Sequence, residues 1–115
     1  MPAKRPIADA PLKPHFFLVL LALADGPSHG YRIKQIVEAR GGLRLDPGSL
    51  YRLIARLLEE GLIGEHAGHA ADDPRRRTYE LTERGRGTLL AETARMADLV
   101  AAVREKKTLR RPRFA

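Results

Sequence analysis

The sequence predicts a mostly helical α+β fold, with three short helices, a two-stranded hairpin and one long C-terminal helix. Apolar residues recur at helical spacing in separate stretches of the first sixty residues. Residues 62–66 and 77–81 instead alternate in the manner of half-buried strands, and residues 82–107 carry a heptad of apolar and small side chains. A chain of 115 residues has the length of one compact domain.

The net charge of +7 is unevenly distributed along the chain. Residues 1–13 have a net charge of +2 and residues 104–115 a net charge of +5, whereas residues 14–81 hold nine basic and nine acidic side chains. Overall basicity is therefore weak evidence for a nucleic-acid partner, and that case depends on where individual arginines fall. The absence of cysteine excludes disulfides and thiolate chemistry and suits a cytoplasmic protein.

The N-terminal third predicts a flexible segment followed by a buried helix. Residues 1–13 are rich in proline and are expected to be flexible, and the first helix is expected over residues 14–24. That helix is apolar nearly all round, which indicates burial on several sides. The basic residues before it also resemble the start of a signal peptide, but its nine apolar residues fall far short of the roughly 20 that span a bilayer. We expect no membrane partner.

The second and third helices carry clear start and stop signals. Ser28 is expected to cap the second helix, which runs to about residue 40 and ends at a glycine pair. Asp46 before Pro47 predicts the start of the third helix, and Gly61 predicts its left-handed end. Between them, one apolar stripe faces the core: Leu50, Leu53, Ile54, Leu57 and Leu58.

The remaining chain predicts a hairpin with a ten-residue tip, a helix capped by Thr82 and a basic, disordered tail over residues 108–115. The heptad of the last helix predicts a homodimer. Its interface is expected to include nine side chains from the first and last helices: Phe16, Phe17, Leu89, Leu90, Thr93, Met96, Ala97, Val100 and Val103. Residues 14–81 would then form a DNA-binding domain and residues 82–107 a dimerisation helix.

This order of elements predicts a winged helix-turn-helix, in which the third helix enters the major groove of double-stranded DNA. Its outer face offers arginines that can fork onto guanine or bind phosphate. The arginine triplet 75–77 lies in the hairpin, where it would follow the sugar-phosphate backbone of the DNA. Arg77 can alternatively pair within its own strand. The predicted DNA contacts are Tyr31, Lys34, Ser49, Tyr51, Arg52, Arg56, Arg75, Arg76 and Arg77. Tyr51 can alternatively be structural, and His15 can also lie near DNA.

Several motifs resemble those of the PadR family of transcriptional regulators. They are His29-Gly30-Tyr31, Gly48-Ser49-Leu50-Tyr51, Arg56-Leu57 followed by Glu60-Gly61-Leu62, and the run RTYELTERG over residues 77–85. The likeness extends over about residues 16–90. It implies a winged helix-turn-helix, a homodimer built through the C-terminal helix, and repression relieved by a small-molecule effector. Arg52 departs from the family pattern, in which proline usually follows the tyrosine.

Other functions have weaker support in the sequence. Glu65, His66, His69, Asp72 and Asp73 surround the hairpin tip, but their spacing matches no strong metal motif, so neither a metal nor another cofactor is expected. The sequence contains no glycine-rich phosphate loop or plausible catalytic triad, which argues against an enzyme. A protein-interaction or RNA-associated winged helix remains an alternative. An effector pocket lined by Phe16, Phe17, Met96 and Val100 is possible, although these residues equally suit the dimer core.

Overall fold

The computed structural model describes residues 6–9, 11–66 and 77–109. Seven elements follow in chain order, with a short 3-10 turn, Lys107–Leu109, after them. They are α1 (Pro14–Ala22), β1 (Ser28–His29), α2 (Gly30–Gly41), α3 (Pro47–Glu59), β2 (Ile63–Glu65), β3 (Thr78–Leu81) and α4 (Glu83–Arg104). The predicted α+β class and the order of the four helices and the hairpin are confirmed, and β1 is an additional strand.

Helix α3 begins and ends where the sequence predicts. The Asp46 carboxylate accepts a hydrogen bond from the Ser49 N–H at 2.8 Å, which satisfies a donor that the first helical turn leaves open. At the other end, Gly61 adopts a left-handed φ of 73°. The N–H groups of Gly61 and Leu62 then donate to the carbonyls of Leu58 and Leu57, each at 3.0 Å. This pair of bonds is a Schellman motif, which stops the helix and turns the chain into β2.

The core lies where α1, α2 and α3 meet the small sheet. Ten side chains are almost completely buried there: Val19, Leu20, Leu23, Ile33, Val37, Leu50, Ile54, Leu57, Leu62 and Ile63. They come from each of the first three helices and from the entry to β2, so the apolar faces read from the sequence converge on one cluster. Burying side chains of this size is the main stabilising contribution to such a fold.

The sheet has three antiparallel strands in the order β1-β3-β2, one more than the hairpin that the sequence predicts. The additional strand pairs Ser28 with Tyr79 and His29 with Thr78. Ser28 was expected to cap α2, but it is a buried strand residue, and His29 takes the N-cap position, where its side chain makes no capping hydrogen bond. That expectation is wrong because strand pairing continues through His29, so α2 begins at Gly30 and its N-cap lies one residue later than predicted.

The N-terminal strap, residues 6–9 and 11–12, packs against the fold, in the region where the sequence predicts a flexible segment. Ile7 and Leu12 are 5% and 6% exposed. The Ile7 N–H donates to Glu60 Oε1 at 2.6 Å, and the Leu12 N–H donates to the buried carboxylate of Glu92 in α4. Proline-rich composition suggested a loose segment, but two buried apolar side chains and two carboxylate acceptors, one of them buried, hold it against the fold. Residues 1–5 and 10 lie outside the described residues.

A tight joint connects the end of α3 to the start of α4. The Thr82 hydroxyl accepts from the Gly85 N–H at 3.0 Å, as its predicted capping role requires, and donates to the Gly61 carbonyl at 2.6 Å. Gly85 lies so close to the Leu62 carbonyl that a Cβ atom at this position would be 1.8 Å from its oxygen. Two of the sequence motifs, EGL and TERG, thus meet in one contact.

Helix α4 leaves the domain after its first half. Leu89 and Glu92 are buried, whereas every residue from 97 to 109 is exposed. The helix ends at Arg104 rather than near residue 107, and the last residues of the predicted basic tail, 110–115, lie outside the described part of the chain. Among the described helices, none combines the length and apolar character needed to cross a membrane.

Candidate nucleic-acid interface

Helix α3 presents one side to the core and the opposite side to solvent. Leu50, Ile54 and Leu57 are buried, whereas Arg52 and Ala55, on the reverse face, are exposed. A helix of 3.6 residues per turn with one firm apolar stripe can lay its other face into a groove without losing its packing. The outward face of α3 is therefore the candidate reading surface.

The first turn of α3 carries a connected polar network. Ser49 Oγ donates to the second carboxylate oxygen of Asp46 at 3.1 Å and accepts from the Arg52 guanidinium at 3.0 Å. Hydrogen bonds from Ser49, first from its N–H and then from its hydroxyl, lower the pKa of the Asp46 carboxyl, so this residue is ionised at neutral pH. Arg52 is thereby held over the start of α3 with its outer N–H groups exposed.

Arg56 has a different environment from Arg52. Its Nε lies 3.2 Å from Glu60 Oε2, its guanidinium carbon lies 6.0 Å from the centre of the Phe16 ring, and its side chain is 23% exposed. Arg56 therefore lies on the α1 flank of α3, and the expectation that both arginines project from the outer face does not hold. The difference arises because α1 packs beside this turn, which helical spacing does not reveal.

The two predicted tyrosines also differ in exposure. Tyr51 is half-buried and packs on the start of α2, where a Cβ added to Gly30 would be 2.9 Å from the tyrosine hydroxyl oxygen. Tyr31, in the first turn of α2, is 67% exposed. The geometry gives Tyr51 a structural role between α2 and α3 and leaves Tyr31 as the accessible ring.

Lys34 takes part in bracing the turn between α2 and α3. Its ammonium lies 3.2 Å from Glu38 Oε2, and the same carboxylate accepts from the Leu45 N–H at 2.7 Å. The Leu45 bond, followed by the contacts with Lys34 and Arg44, lowers the pKa of the Glu38 carboxyl. Because Lys34 already forms an ion pair with Glu38, it is a weaker candidate for DNA contact than its sequence position suggested.

The wing is the hairpin formed by β2 and β3, and the structure describes only its base. Arg77 lies 3.5 Å from Glu65, the pairing within the sheet that the sequence left open, while Arg75 and Arg76 lie outside the described residues. Of the suggested metal cluster, His66 Nδ1 lies 2.9 Å from Glu80 Oε2, and residues 69, 72 and 73 are not described. Within the described ranges no three metal-ligating side chains come together.

The side chains expected at the dimer interface fall into two groups. Phe16 and Leu89 are each 8% exposed and belong to the core of their own chain, and Phe17 and Met96 are half-buried. The others lie on the surface of α4: Leu90, Thr93, Ala97, Val100 and Val103. Leu99 and Leu109, which the sequence analysis omitted, add to this exposed apolar surface.

Arg44 is a basic side chain near α3 that sequence reasoning missed. It is exposed two residues before the Asp46 cap, and it lines one groove together with His15, Ser49, Arg52 and Arg56. Its position relative to the N-cap is a usable signal, because residues just before a recognition helix lie at that helix's leading end.

Three helices, a small antiparallel wing and an outward polar third helix define a winged helix-turn-helix protein. The sequence profile of the Transcriptional regulator PadR-like family matches residues 19–91, which is more than half of the chain. The chain belongs to this family of DNA-binding transcriptional regulators, which is not a family of enzymes. The resemblance noted from the motifs is therefore confirmed.

Known proteins resemble this chain in sequence or in fold. The chain is 44% identical over 88 residues to an uncharacterized 37.1 kDa protein in transposon TN4556 of Streptomyces fradiae, and it spans only 24% of that protein's length. A PadR family transcription regulator from Clostridium difficile R20291 is 21% identical, with a TM-score of 0.69, over 81% of this chain and 97% of its own. Bacillus subtilis PadR, solved in complex with operator DNA, is 22% identical with a TM-score of 0.56, over 66% of this chain and 44% of its own.

Proposed function

We propose that this chain is a sequence-specific repressor that acts in the cytoplasm as a homodimer on a pseudo-palindromic operator. Two copies of α3 would enter successive major grooves, which sets the half-site centres about 10 bp apart or at a multiple of that spacing. The observation that carries the proposal is the Asp46–Ser49–Arg52 network, because it fixes an exposed guanidinium on the outward face of a helix whose other face is core.

Arg52 is the residue we assign to base readout. Its guanidinium can donate two hydrogen bonds to O6 and N7 of a guanine, which is the commonest specific contact in the major groove. Ser49 restricts the side chain before DNA arrives, so less conformational freedom is lost on binding. Tyr31, exposed on α2, is suited to a backbone contact beside it.

The exposed half of α4 supports the homodimer. Val100 and Val103 are 47% and 55% exposed, yet they continue the heptad that begins at the buried Leu89. A second copy of the helix would cover this seam, as in a coiled coil. Sedimentation of the purified chain at micromolar concentration should then give a dimer.

Binding-site selection followed by titration on the selected duplex tests the proposal. Arg52→Ala should cost roughly 1–3 kcal/mol on the selected duplex and much less on random DNA of equal length. Arg86→Ala, which removes an exposed arginine from α4 on a different surface, is the matched control and should affect the two DNAs alike. Equal losses for Arg52→Ala on selected and random DNA would contradict base readout and favour a protein-interaction or RNA-associated module.

Repression and its relief need a separate test. Deleting the gene should raise expression from the promoter that carries the selected site. An effector, if it occupies the region near Phe17, Met96 and Val100, should lower the affinity of the dimer for that site. Adding aromatic and cationic compounds to the binding assay would identify its chemical class, and the absence of any effect across both classes would contradict relief by such a ligand.

A further inference from the structure

The α1–α3 groove is an open, cationic surface on one flank of the recognition helix. Its volume is about 490 Å³, and its floor is formed by Phe16, Leu45 and Leu53. Four basic or imidazole side chains from three different elements line it: His15, Arg44, Arg52 and Arg56. Because α1, the turn before α3 and α3 itself each contribute, the groove is a product of the folded chain rather than of one helix.

Basic side chains outnumber acidic ones in the lining of this groove. The lining has three arginines and one carboxylate, Asp46, whose two oxygens already accept from Ser49, while Arg56 is also paired with Glu60 and Arg44 lies near Glu38, both outside the lining. Both Arg44 and Arg52 are exposed, so their guanidinium groups can reach a ligand without leaving a packed position. Clustered arginines of this kind bind phosphate oxygens through two parallel hydrogen bonds.

The position of the groove indicates which phosphates it would meet. Tyr51, on the opposite flank of α3, contacts Gly30 at the start of α2, directly after β1, so that flank is on the side of the sheet from which the wing extends. The major groove is about 12 Å wide, close to the 10–12 Å diameter of a helix with its side chains. Each flank of an inserted α3 therefore faces a different strand of the duplex.

We infer that the α1–α3 groove binds the phosphate backbone of the DNA strand opposite the one that the wing follows, with Arg44 as its principal contact. This inference rests on the proposed insertion of α3 into the major groove. It assigns a role to Arg44, a residue that lies outside the recognition helix. The contact supplies register and affinity but carries no base preference.

The test compares Arg44→Ala with Arg86→Ala across a series of salt concentrations on selected and random duplexes. Each variant removes one exposed arginine, so the change in net charge is identical. Losing one phosphate contact should reduce the slope of log affinity against log salt concentration by about 0.9. Over the tenfold range from 1 M to 0.1 M salt, this slope difference amounts to a roughly eightfold loss of affinity relative to the wild type. Arg44→Ala should show this loss on both duplexes, Arg86→Ala should not, and Arg44→Lys should keep most of the slope.

A scan of single neutral methylphosphonates along each strand of the selected duplex locates the contact. The wild-type protein should lose affinity at one or two positions at which Arg44→Ala loses none, and these positions should lie on the strand opposite those sensitive to changes in the wing. If the wild type binds the selected duplex but Arg44→Ala behaves like Arg86→Ala, the groove assignment is wrong while the proposed function stands. If the wild type shows no preference for the selected duplex over random DNA at any salt concentration, the proposed function itself fails.

Discussion

Helices α3 and α4 both carry an apolar stripe at helical spacing, but only the stripe of α3 is covered by its own chain. Leu50, Ile54 and Leu57 of α3 are at most 2% exposed, whereas Val100 and Val103 of α4 are about half exposed. Helix α3 lies between α1, α2 and the sheet. Helix α4, 22 residues and about 33 Å long, passes beyond the domain.

The comparison separates two uses of the same pattern. Apolar periodicity indicates that one face of a helix will be buried, but it does not indicate which surface will bury it. In α3 the covering surface is intramolecular, which fixes the reading face relative to the rest of the domain. The second half of α4 has no covering surface among the described residues, and in the proposed homodimer a second copy of α4 would supply one.

The largest expected effect comes from truncating the covered stripe. Leu57→Ala should destabilise the protein by about 3–5 kcal/mol, because Leu57 is fully buried and its removal leaves a cavity. Val100→Ala, the matched truncation on α4, should leave the unfolding of the protomer nearly unchanged and weaken the dimer instead. Urea unfolding and sedimentation, each measured over a range of protein concentrations, separate the two effects.

If the two variants lose similar stability at a concentration at which the wild type is monomeric, the exposed half of α4 has a covering surface within its own chain. The distinction between the two helices would then be wrong. A dimer that dissociates no more readily in Val100→Ala than in the wild type would place the interface on another surface.

The joint between the two helices gives the next largest effect. Gly85→Ala places a Cβ 1.8 Å from the Leu62 carbonyl oxygen, so α4 must move away from the end of α3, at a cost of about 3 kcal/mol. Gly87→Ala, two residues further along α4, meets nothing within 4 Å and should instead stabilise the helix by about 0.5–1 kcal/mol. Thermal unfolding of the two variants should therefore shift in opposite directions, and an unchanged or raised Tm in Gly85→Ala would show that the joint tolerates a side chain.

Sequence reasoning succeeded where the signal is local. The Asp46 cap, the Gly61 turn and the Thr82 cap are each set by neighbouring residues, and all three appear in the structure. It failed where a partner lies far along the chain. Ile7 bonds to Glu60, 53 residues away, and the Ser28–Tyr79 pairing is also long-range, so neither the strap nor β1 has a local pattern.

The same limit applies to the candidate interface. Helical spacing placed Arg52 and Arg56 together, because it describes α3 as an isolated cylinder. The presence of α1 beside one turn pairs Arg56 with Glu60 and Phe16 and leaves Arg52 exposed. Arg44 was missed for a related reason: its position before the Asp46 cap places it at the start of α3, but no local pattern indicates that α1 lies beside it.

The N-terminal strap links α3 to α4, and its pH dependence gives the smallest expected effect. Hydrogen bonds from Arg95 and then from the Leu12 N–H lower the pKa of the Glu92 carboxyl, despite its burial. A carboxyl whose folded pKa lies below its unfolded value, about 4.3, stabilises the protein above that pH and loses this contribution as the pH falls through the folded pKa. Glu92→Gln keeps an oxygen for Leu12 but removes the charge, so its Tm should lie a few degrees below that of the wild type at pH 7 and converge with it at lower pH.

The control variant is Asp98→Asn, at an exposed site on α4, which is expected to change the Tm little. A gap between Glu92→Gln and the wild type that stays constant from pH 7 to well below pH 4 would show that the charge of Glu92 does not hold the strap between the two helices.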